Sequence, residues 1–430
     1  MIDFSLDPKF EEKLVWVRNF VREEVEPLDA LFDNYSAPYN QEDEAAMAAL
    51  RPLQAKVREQ GLWGMHLPPE LGGPGFGQVE LCSLNEILGR THWGPTVFGC
   101  QAPDSGNGEI LARFGTPEQK ERYLKPLLEN EIVSCFSMTE VEGGSDPTQF
   151  RCRAELVGDE WVINGEKWFS SNARFASFLI VMVVTDPDAP VYDRMSTIIV
   201  PRDAPGLEFV SEPGVAGEPF HEGSHAHLRY NNVRVPRENL LGERGGGFKV
   251  AQSRLGGGRI HHAMRVIGMC QKGLDMMCER ALSRVTKGER LADKQLVQVD
   301  IGQSWIEIEQ FRLLVLRTAW MFDNHQEKEA RAWIAACKVA CAKISHDVVF
   351  RAMHMLGSLG VSNYTPLSKM WANVLVMGMA DGPTEIHAMY AGRAVLKQHK
   401  GTEGRFPTDY LPDLRRRAEE KFGSLREAAE

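Results

Sequence analysis

The chain has 430 residues and a mass of 48.2 kDa, long enough for two or three domains around a large buried core. Hydrophobic residues make up 43% and charged residues 25%, an ordinary globular composition that excludes wholesale disorder and collagen-like repeats. The formal net charge of −10 has the wrong sign for a general binder of the phosphate backbone, so we expect no nucleic-acid partner.

Residues 1–130 have a helical period. Asp7 followed by Pro8 is typical of an N-cap and a first helical position, and apolar residues then recur at three- and four-residue spacing. Thr116 and Gln119 have the spacing of a capping box and predict a second helix start. The sequence therefore predicts an N-terminal helical domain.

Residues 131–244 change to a period of two and are richer in β-branched and aromatic residues. Gly158-Asp159 predicts a turn between two strands, and Asn164-Gly165 predicts a second turn. The short strands suit a small β-barrel or sandwich. The predicted strands are 150–156, 161–163, 178–184, 196–200, 207–210 and 227–235.

From residue 245 the helical period resumes in long segments, predicted at 258–287, 295–323 and 329–356. Pro383 predicts the start of another helix, and a short charged helix is expected around 414–421. The order α, then β, then α predicts the α+β class.

The eight cysteines are spread along the chain without a CxxC pair, which predicts buried free thiols in a reducing compartment. The N-terminus turns acidic before any apolar run of signal-peptide length, and the longest apolar stretch, 178–184, is far shorter than a membrane span. We therefore expect a cytoplasmic protein without a membrane partner.

Two groups of residues have spacing that a metal ion could use, and both have a simpler interpretation. Cys337 and Cys341 would share a helix face, but no second pair completes a site, which favours core packing. His225 and His227 in the segment HEGSHAH would face the same side of a strand, but no ligand beyond these histidines is apparent, which favours a polar loop leading into a strand. We predict no metal.

Four stretches resemble the acyl-CoA dehydrogenase family. FSMTEVEGGSD at 136–146 and GDEWVINGEKWFSSNA at 158–173 resemble its flavin-binding signature, and VRVPRENLLGERGGGFKVAQSRLGGGR at 233–259 and ADGPTEIHAMYAGR at 380–393 follow in order. The resemblance implies an N-terminal helical domain at 1–130, a middle β-barrel at 131–244, a C-terminal four-helix bundle at 245–400 and a tail at 401–430.

The family's reaction removes two hydrogens from adjacent carbons of an acyl-CoA thioester. A carboxylate takes the α-proton while the β-hydrogen leaves as hydride to N5 of FAD, so base and flavin must flank the acyl chain. The resemblance implies FAD as cofactor, acyl-CoA as substrate, an electron-transfer flavoprotein as electron acceptor and a place in fatty-acid β-oxidation.

Asp381 occupies the position of the family's catalytic base, where the best-known members have glutamate before Gly-Thr. Its side chain is shorter by one methylene, about 1.5 Å. Asp-Gly-Pro resembles a subgroup that includes animal members fused to kinase-like domains, some of which favour longer, branched or hydroxylated acyl chains. We expect Asp381 to be the base, with its pKa raised by burial. The alternative is an N-cap for the helix opening at Pro383.

The resemblance assigns flavin contacts to the two stretches of the middle region. Phe169 stands in place of a shielding tryptophan and Ser171 in place of a threonine that bonds near N5; considered alone, Phe169 would be a core aromatic and Met138 a gap-filler. The remaining positions are Phe136, Met138 and Thr139 at the isoalloxazine, and Gly144 and Ser145 at the turn beside the pyrophosphate and the substrate pantetheine.

The resemblance also implies that a second subunit completes the FAD site, which predicts a homodimer or homotetramer. Arg284 fits the pyrophosphate partner and Gln295 the family's glutamine, although Lys287 replaces the family's phenylalanine. Further matching positions are His354, Gly357, Ser358, Pro383 and Glu385 for the cofactor, and Ser145, Arg259 and Arg393 for the CoA substrate. A helix-terminal, solvated arginine is the alternative for Arg393.

Two other functions fit the same motifs. One is a flavin oxidase on the same fold, such as a nitroalkane oxidase, which also uses an aspartate base and would be reoxidised rapidly by oxygen. The other is a non-catalytic family member that serves as an assembly scaffold and binds no flavin.

Overall fold

Helices occupy both ends of the chain and strands the middle, in a computed structural model that describes residues 2–32, 34–215, 217–219 and 222–427. The helices are α1 (Pro8–Phe20), α2 (Leu28–Leu31), α3 (Glu44–Glu59), α4 (Gln78–Leu88), α5 (Gly94–Val97), α6 (Asp104–Phe114), α7 (Pro117–Gln119), α8 (Lys125–Leu128), α9 (Gly247–Ser283), α10 (Gln295–Asp323), α11 (Glu327–Leu356), α12 (Leu367–Met377), α13 (Thr384–Leu396) and α14 (Leu411–Glu427). The strands are β1 (Ser134–Ser137), β2 (Arg153–Val157), β3 (Glu160–Ser171), β4 (Phe178–Val184), β5 (Met195–Pro201), β6 (Leu207–Ser211), β7 (His225–Pro236), β8 (Leu240–Leu241), β9 (Val285–Thr286) and β10 (Glu289–Arg290).

Both predicted helix starts of the N-terminal region are confirmed. Asp7 caps α1 by accepting a hydrogen bond from the Lys9 amide at 2.8 Å. Thr116 and Gln119 form the predicted capping box at α7. The Gln119 side-chain amide also donates to the carbonyl of Glu238 at 2.8 Å, so this helix start is tied to the end of the sheet.

The described strands β1–β8 form one sheet in the order β6-β7-β3-β2-β4-β5-β8, with β1 parallel to β4. One face encloses an apolar cluster that includes Trp161, Leu179 and Tyr230. The opposite face of β4 and β5 packs against α6 and α9. The predicted middle sheet domain is confirmed, but the hydrogen-bonded ladder ends at β6 and β8 and does not close.

The second turn predicted in this region is wrong. Asn164 and Gly165 lie inside β3, which continues from Glu160 to Ser171 with a bulge beside β7. Gly165 has φ +139°, and a Cβ there would lie 2.6 Å from Cα of Cys152. Only glycine fits this close approach, so the Asn-Gly pair bends one strand where the pattern predicted a hairpin.

The C-terminal region packs α9, α10, α11 and α12 around one apolar core. The prediction for α10 is confirmed to the residue, whereas α9 begins at Gly247, eleven residues before the predicted start. A Cβ at Gly268 would lie 1.7 Å from the Glu86 carbonyl oxygen, so α9 lies against α4 too closely for a larger residue there.

At the start of α9, a Cβ at Gly247 would lie 2.8 Å from the Met195 carbonyl oxygen, and Val250 and Ala251 are buried against the sheet. Packing against β5 therefore makes a helix of this segment despite the low propensity of its glycines.

Among the described helices, none combines the length and apolarity that crossing a membrane would require.

Candidate active site

Asp381 lies in the loop between α12 and α13, in a left-handed conformation with φ +56°. The residue at the N-cap position of α13 is Pro383, and no side chain caps the helix, so the alternative N-cap role for Asp381 is wrong. The Asp381 carbonyl instead accepts hydrogen bonds from Arg259 Nε at 3.0 Å and His387 Nε2 at 3.2 Å. These two side chains hold a strained main chain in place.

Positive charge surrounds the Asp381 carboxylate. His262 Nε2 lies 3.8 Å from Oδ2. Burial opposes the charged form, but the charge of His262 when its ring is protonated and the permanent charges of Arg254, Lys338 and Arg259 outweigh it and lower the pKa of the carboxyl. The expectation of a raised pKa is therefore wrong. It rested on burial alone, whereas these neighbours come from distant parts of the chain and reach Asp381 only in the folded protein.

Lys338 on α11 anchors the segment that leads into Asp381. Its ammonium donates to the carbonyls of Met377 at 2.9 Å and Ala380 at 3.0 Å, and the residue is only 3% exposed. Burial lowers the pKa of Lys338. The lysine thus satisfies the carbonyl of the last residue of α12 and that of Ala380, directly before the candidate base.

Arg259 and Arg393, both assigned by resemblance to CoA, lie in different surroundings. Arg259 is on α9, and its Nε bonds the Asp381 main chain. Arg393 is exposed in the last turn of α13. The structure therefore brings Arg259 to the candidate base and leaves Arg393 on the surface.

Arg254 links the Asp381 loop to the first strand of the sheet. Its guanidinium carbon lies 4.3 Å from the centroid of the Phe136 ring, and Nε donates to Asn107 Oδ1 at 2.9 Å. Burial lowers the pKa of Arg254, and the charge of Asp381 opposes that shift. Arg254 is thus the cation at which four elements meet: helices α6 and α9, strand β1 and the Asp381 loop.

A buried ion pair fixes the loop that carries Met138 and Thr139. Lys167 Nζ donates to the Met138 carbonyl and to Glu140 Oε1, both at 2.8 Å, and the amide of Trp168 donates to the Thr139 carbonyl at 3.0 Å. Lys167 is fully buried. The segment assigned to the flavin is therefore pinned to β3.

The surroundings of Phe169 and Ser171 have the mixed chemistry that a flavin requires. Phe169 has φ +49° and is 40% exposed, so it is not a core aromatic. Ser171 lines a cavity of about 170 Å³ together with His92, Ala372 and Val376, among other residues. A planar ring with one polar edge needs both apolar walls and polar groups of this kind, so these residues fit FAD.

Gly144 and Ser145 lie in the exposed loop after β1. A Cβ built on Gly144 would meet no atom within 4 Å, so the loop leaves room for a ligand against its backbone.

Arg284, which the resemblance assigns to a second subunit, lies far from Arg259 and the Asp381 loop in this chain. Arg284 follows Arg259 by 25 residues, and it directly follows the end of α9, about 37 Å away at 1.5 Å per residue. Within one chain, Arg284 cannot share a ligand contact with Arg259. Like Arg284, Gln295 is exposed. Among the further cofactor positions, His354, Gly357, Ser358 and Glu385 are exposed, whereas Pro383 is half-buried at the start of α13, two residues after Asp381.

The histidines and cysteines with metal-like spacing make other contacts. His225 begins β7 and contacts the Ser224 hydroxyl, and His227 Nε2 lies 2.9 Å from Glu166 Oε2. His221 lies outside the described residues; the segment 221–225 reads HExxH, but His225 is on a strand and not on a helix. Cys337 and Cys341 are buried, free thiols. Within the described residues, no three His, Cys, Asp or Glu side chains are grouped to hold a metal ion.

Sequence reasoning missed most of the side chains around Asp381. The sequence predicts no role for Lys338, His387, Arg254 or His262. A lysine within an apolar helical pattern is the one signal that could have indicated Lys338, because such a residue needs internal partners when it is buried.

Three family models match in order along the chain. They are the N-terminal domain of acyl-CoA dehydrogenase over residues 11–131, the middle domain over 135–233 and the C-terminal domain over 245–396. Together they span most of the sequence.

Individual relatives give the same result. The chain is 38% identical over 405 residues to a protein of Mycobacterium tuberculosis named acyl-CoA dehydrogenase FadE2, covering 93% of this chain and 98% of that one. It is 37% identical over 392 residues to acyl-CoA dehydrogenase family member 11 of Gallus gallus, covering 89% of this chain but only 50% of that one. The chain thus spans about half the length of this animal relative.

A solved structure of an acyl-CoA dehydrogenase from Mycobacterium abscessus superposes with a TM-score of 0.84 at 37% identity, covering 92% of this chain and 100% of that one. The chain therefore belongs to the acyl-CoA dehydrogenase family, the FAD-dependent oxidoreductases that act on acyl-CoA in fatty-acid metabolism.

Proposed function

We propose that this enzyme dehydrogenates an acyl-CoA thioester between its α and β carbons, with Asp381 as the base. The observation that carries the proposal is the carboxylate itself, kept ionised by neighbouring cations on a loop fixed by Arg259, His387 and Lys338. FAD, when bound, accepts the β-hydrogen as hydride. Asp381 takes the α-proton on a carboxylate oxygen, and its fixed main chain sets the position of that oxygen.

We assign the isoalloxazine to the groups around Phe136, Met138, Thr139, Phe169 and Ser171. Two features support this placement: Lys167 fixes the loop after β1, and the cavity beside Ser171 has both apolar and polar walls. We further assign Gly144 and Ser145 to the pyrophosphate and pantetheine, because the loop leaves open space beside Gly144.

We propose that the active form is a homodimer or homotetramer in which Arg284 and Gln295 of one subunit complete the FAD site of its partner. The distance of Arg284 from Arg259 along α9 supports sharing between subunits. Helix α10 also leaves Leu296, Val299 and Trp305 exposed, and an exposed apolar face of this kind suits a subunit contact. We propose an electron-transfer flavoprotein as the electron acceptor, on the strength of family membership.

The substitution Asp381→Asn tests the base. We expect the variant to purify with FAD bound but to leave the flavin oxidised when acyl-CoA thioesters of different chain length and branching are added without oxygen. Asp413→Asn on the exposed helix α14 is the matched control and should behave as wild type. Flavin absorbance is the measurement. If Asp381→Asn reduces its flavin as fast as wild type, Asp381 is not the base.

The same samples separate the alternatives. Rapid reoxidation of the reduced wild type by oxygen, without response to CoA esters, would indicate an oxidase. Purification of a colourless wild type that takes up no FAD would indicate a scaffold.

A further inference from the structure

His262 on α9 presents a ring nitrogen to the proposed base. Nε2 lies 3.8 Å from Asp381 Oδ2, a separation that a small side-chain rotation closes to a hydrogen bond. The two side chains are 29% and 22% exposed, so the pair lies at the wall of the site and not deep in the core.

The proposed reaction creates a need for this contact. Each turnover leaves one proton on the Asp381 carboxyl, and the carboxyl must lose that proton before it can accept the next. While an acyl thioester covers the base, water has no direct approach to it. A group in the wall can then carry the proton to solvent before the product leaves.

The side chains placed around this carboxyl in the described part of the chain differ in their ability to accept a proton. Arg254, Arg259 and Lys338 are cations without a free lone pair. His387 uses Nε2 to donate to the Asp381 carbonyl, which turns its lone pair away from the carboxyl. Of these groups, His262 is the one whose ring nitrogen faces Oδ2 and can accept.

We propose that His262 is the proton relay that returns Asp381 to its ionised form, an inference that rests on the proposed function. The O–H bond of the Asp381 carboxyl breaks as an N–H bond forms at His262 Nε2. The imidazolium then releases its Nδ1 proton to solvent, and proton exchange with solvent returns the ring to the Nδ1–H tautomer, which frees the Nε2 lone pair for the next transfer. No electrons move, and the carboxylate and the neutral imidazole are both restored.

The electrostatics suit a transfer in either direction. Burial lowers the pKa of His262, with the charges of Arg265, Lys338 and Arg254 acting the same way and that of Asp381 opposing them. The ring is therefore neutral at physiological pH, and the permanent cations stabilise the carboxylate. Because the pKa of Asp381 is lowered too, neither group traps the proton.

The test follows the exchange of substrate α-protons with D₂O. The probe is a 3-thia-acyl-CoA, whose β position is sulfur and which therefore releases no hydride. Exchange requires that Asp381 take the α-proton, lose it to solvent and return a deuteron. For each protein with FAD bound, the exchange rate of the probe is divided by the single-turnover rate of flavin reduction by an ordinary acyl-CoA. We expect this ratio to be about 10- to 100-fold lower in His262→Gln than in wild type.

His261→Gln is the matched control, since this neighbouring ring contacts Gln78 Oε1 at 3.3 Å and not the carboxylate; it should exchange as wild type. His262→Ala is a second variant whose exchange added imidazole should restore. An unchanged exchange ratio in both His262 variants would overturn the relay. Absence of exchange in wild type, or wild-type exchange in Asp381→Asn, would instead overturn the proposed function.

Discussion

The ammonium of Lys338 lies 3.0 Å from the carbonyl oxygen of Ala380, the residue directly before the proposed base. A second bond, to the carbonyl of Met377, joins the same ammonium to the end of α12. A single buried side chain on α11 thus fixes the start of the loop between α12 and α13 that carries Asp381.

Replacement of Lys338 by methionine should weaken both the fold and the reaction. Two carbonyls lose their donor, which costs about 1–3 kcal/mol in the free energy of unfolding. The freed loop should also lower the rate of flavin reduction by acyl-CoA. Urea unfolding and anaerobic stopped-flow absorbance measure the two effects.

Lys343→Met on the exposed face of the same helix is the control, because its ion pair with Asp347 is at the surface. We expect its unfolding free energy to change by less than about 0.5 kcal/mol. Equal stability and equal rates in the two variants would show that Lys338 does not anchor the loop.

We predict that the length of the Asp381 side chain matches the position of its main chain, so that the carboxylate reaches the α-proton. Asp381→Glu moves the carboxylate outward by about 1.5 Å, and a misplacement of about 1 Å can lower a rate roughly 100-fold. We therefore expect flavin reduction to slow by about two orders of magnitude while FAD remains bound. A glutamate variant as fast as wild type would mean that the loop does not set the reach of the base.

The pH dependence of flavin reduction should report the cations around Asp381. The reaction needs the carboxylate, which is present above its pKa, and that pKa is lowered in the folded protein. The rate should therefore persist as the pH falls through the range in which an ordinary carboxyl becomes protonated, and decline only below it. Arg254→Met removes one of the charges that lower the pKa, so the acid limb of the rate should move to higher pH.

Arg113→Met on the neighbouring helix α6 is the control, since this residue is exposed and contacts only Ser253 and the Phe114 ring among the described side chains. Single-turnover reduction measured across pH compares the three proteins. An acid limb unmoved by Arg254→Met would contradict the electrostatic account.

Sharing of the FAD site between subunits predicts complementation. An Asp381→Asn subunit lacks the base, and an Arg284→Gln subunit lacks a cofactor contact for its partner. In a mixed dimer one site has both defects and the other has neither, so activity should reappear when the two inactive proteins are co-expressed. Mixtures as inactive as the separate variants would show that Arg284 serves its own chain.

The sequence by itself determined the features that depend on neighbouring residues. The Asp7 cap, the Thr116–Gln119 capping box and the bounds of α10 rest on periodicity and on contacts within one helical turn. The family motifs likewise single out Asp381 from the sequence alone.

Only the tertiary structure decided the state of that residue. Arg259 is 122 positions from Asp381, and Lys338 and His262 come from two different helices. Burial alone predicts a raised pKa, and the sign reverses only because folding brings these charges together. Electrostatic interaction depends on distance in space, which cannot be read from spacing along the chain. The bulge at Gly165 could not be predicted for the same reason, because it depends on which strands lie beside it.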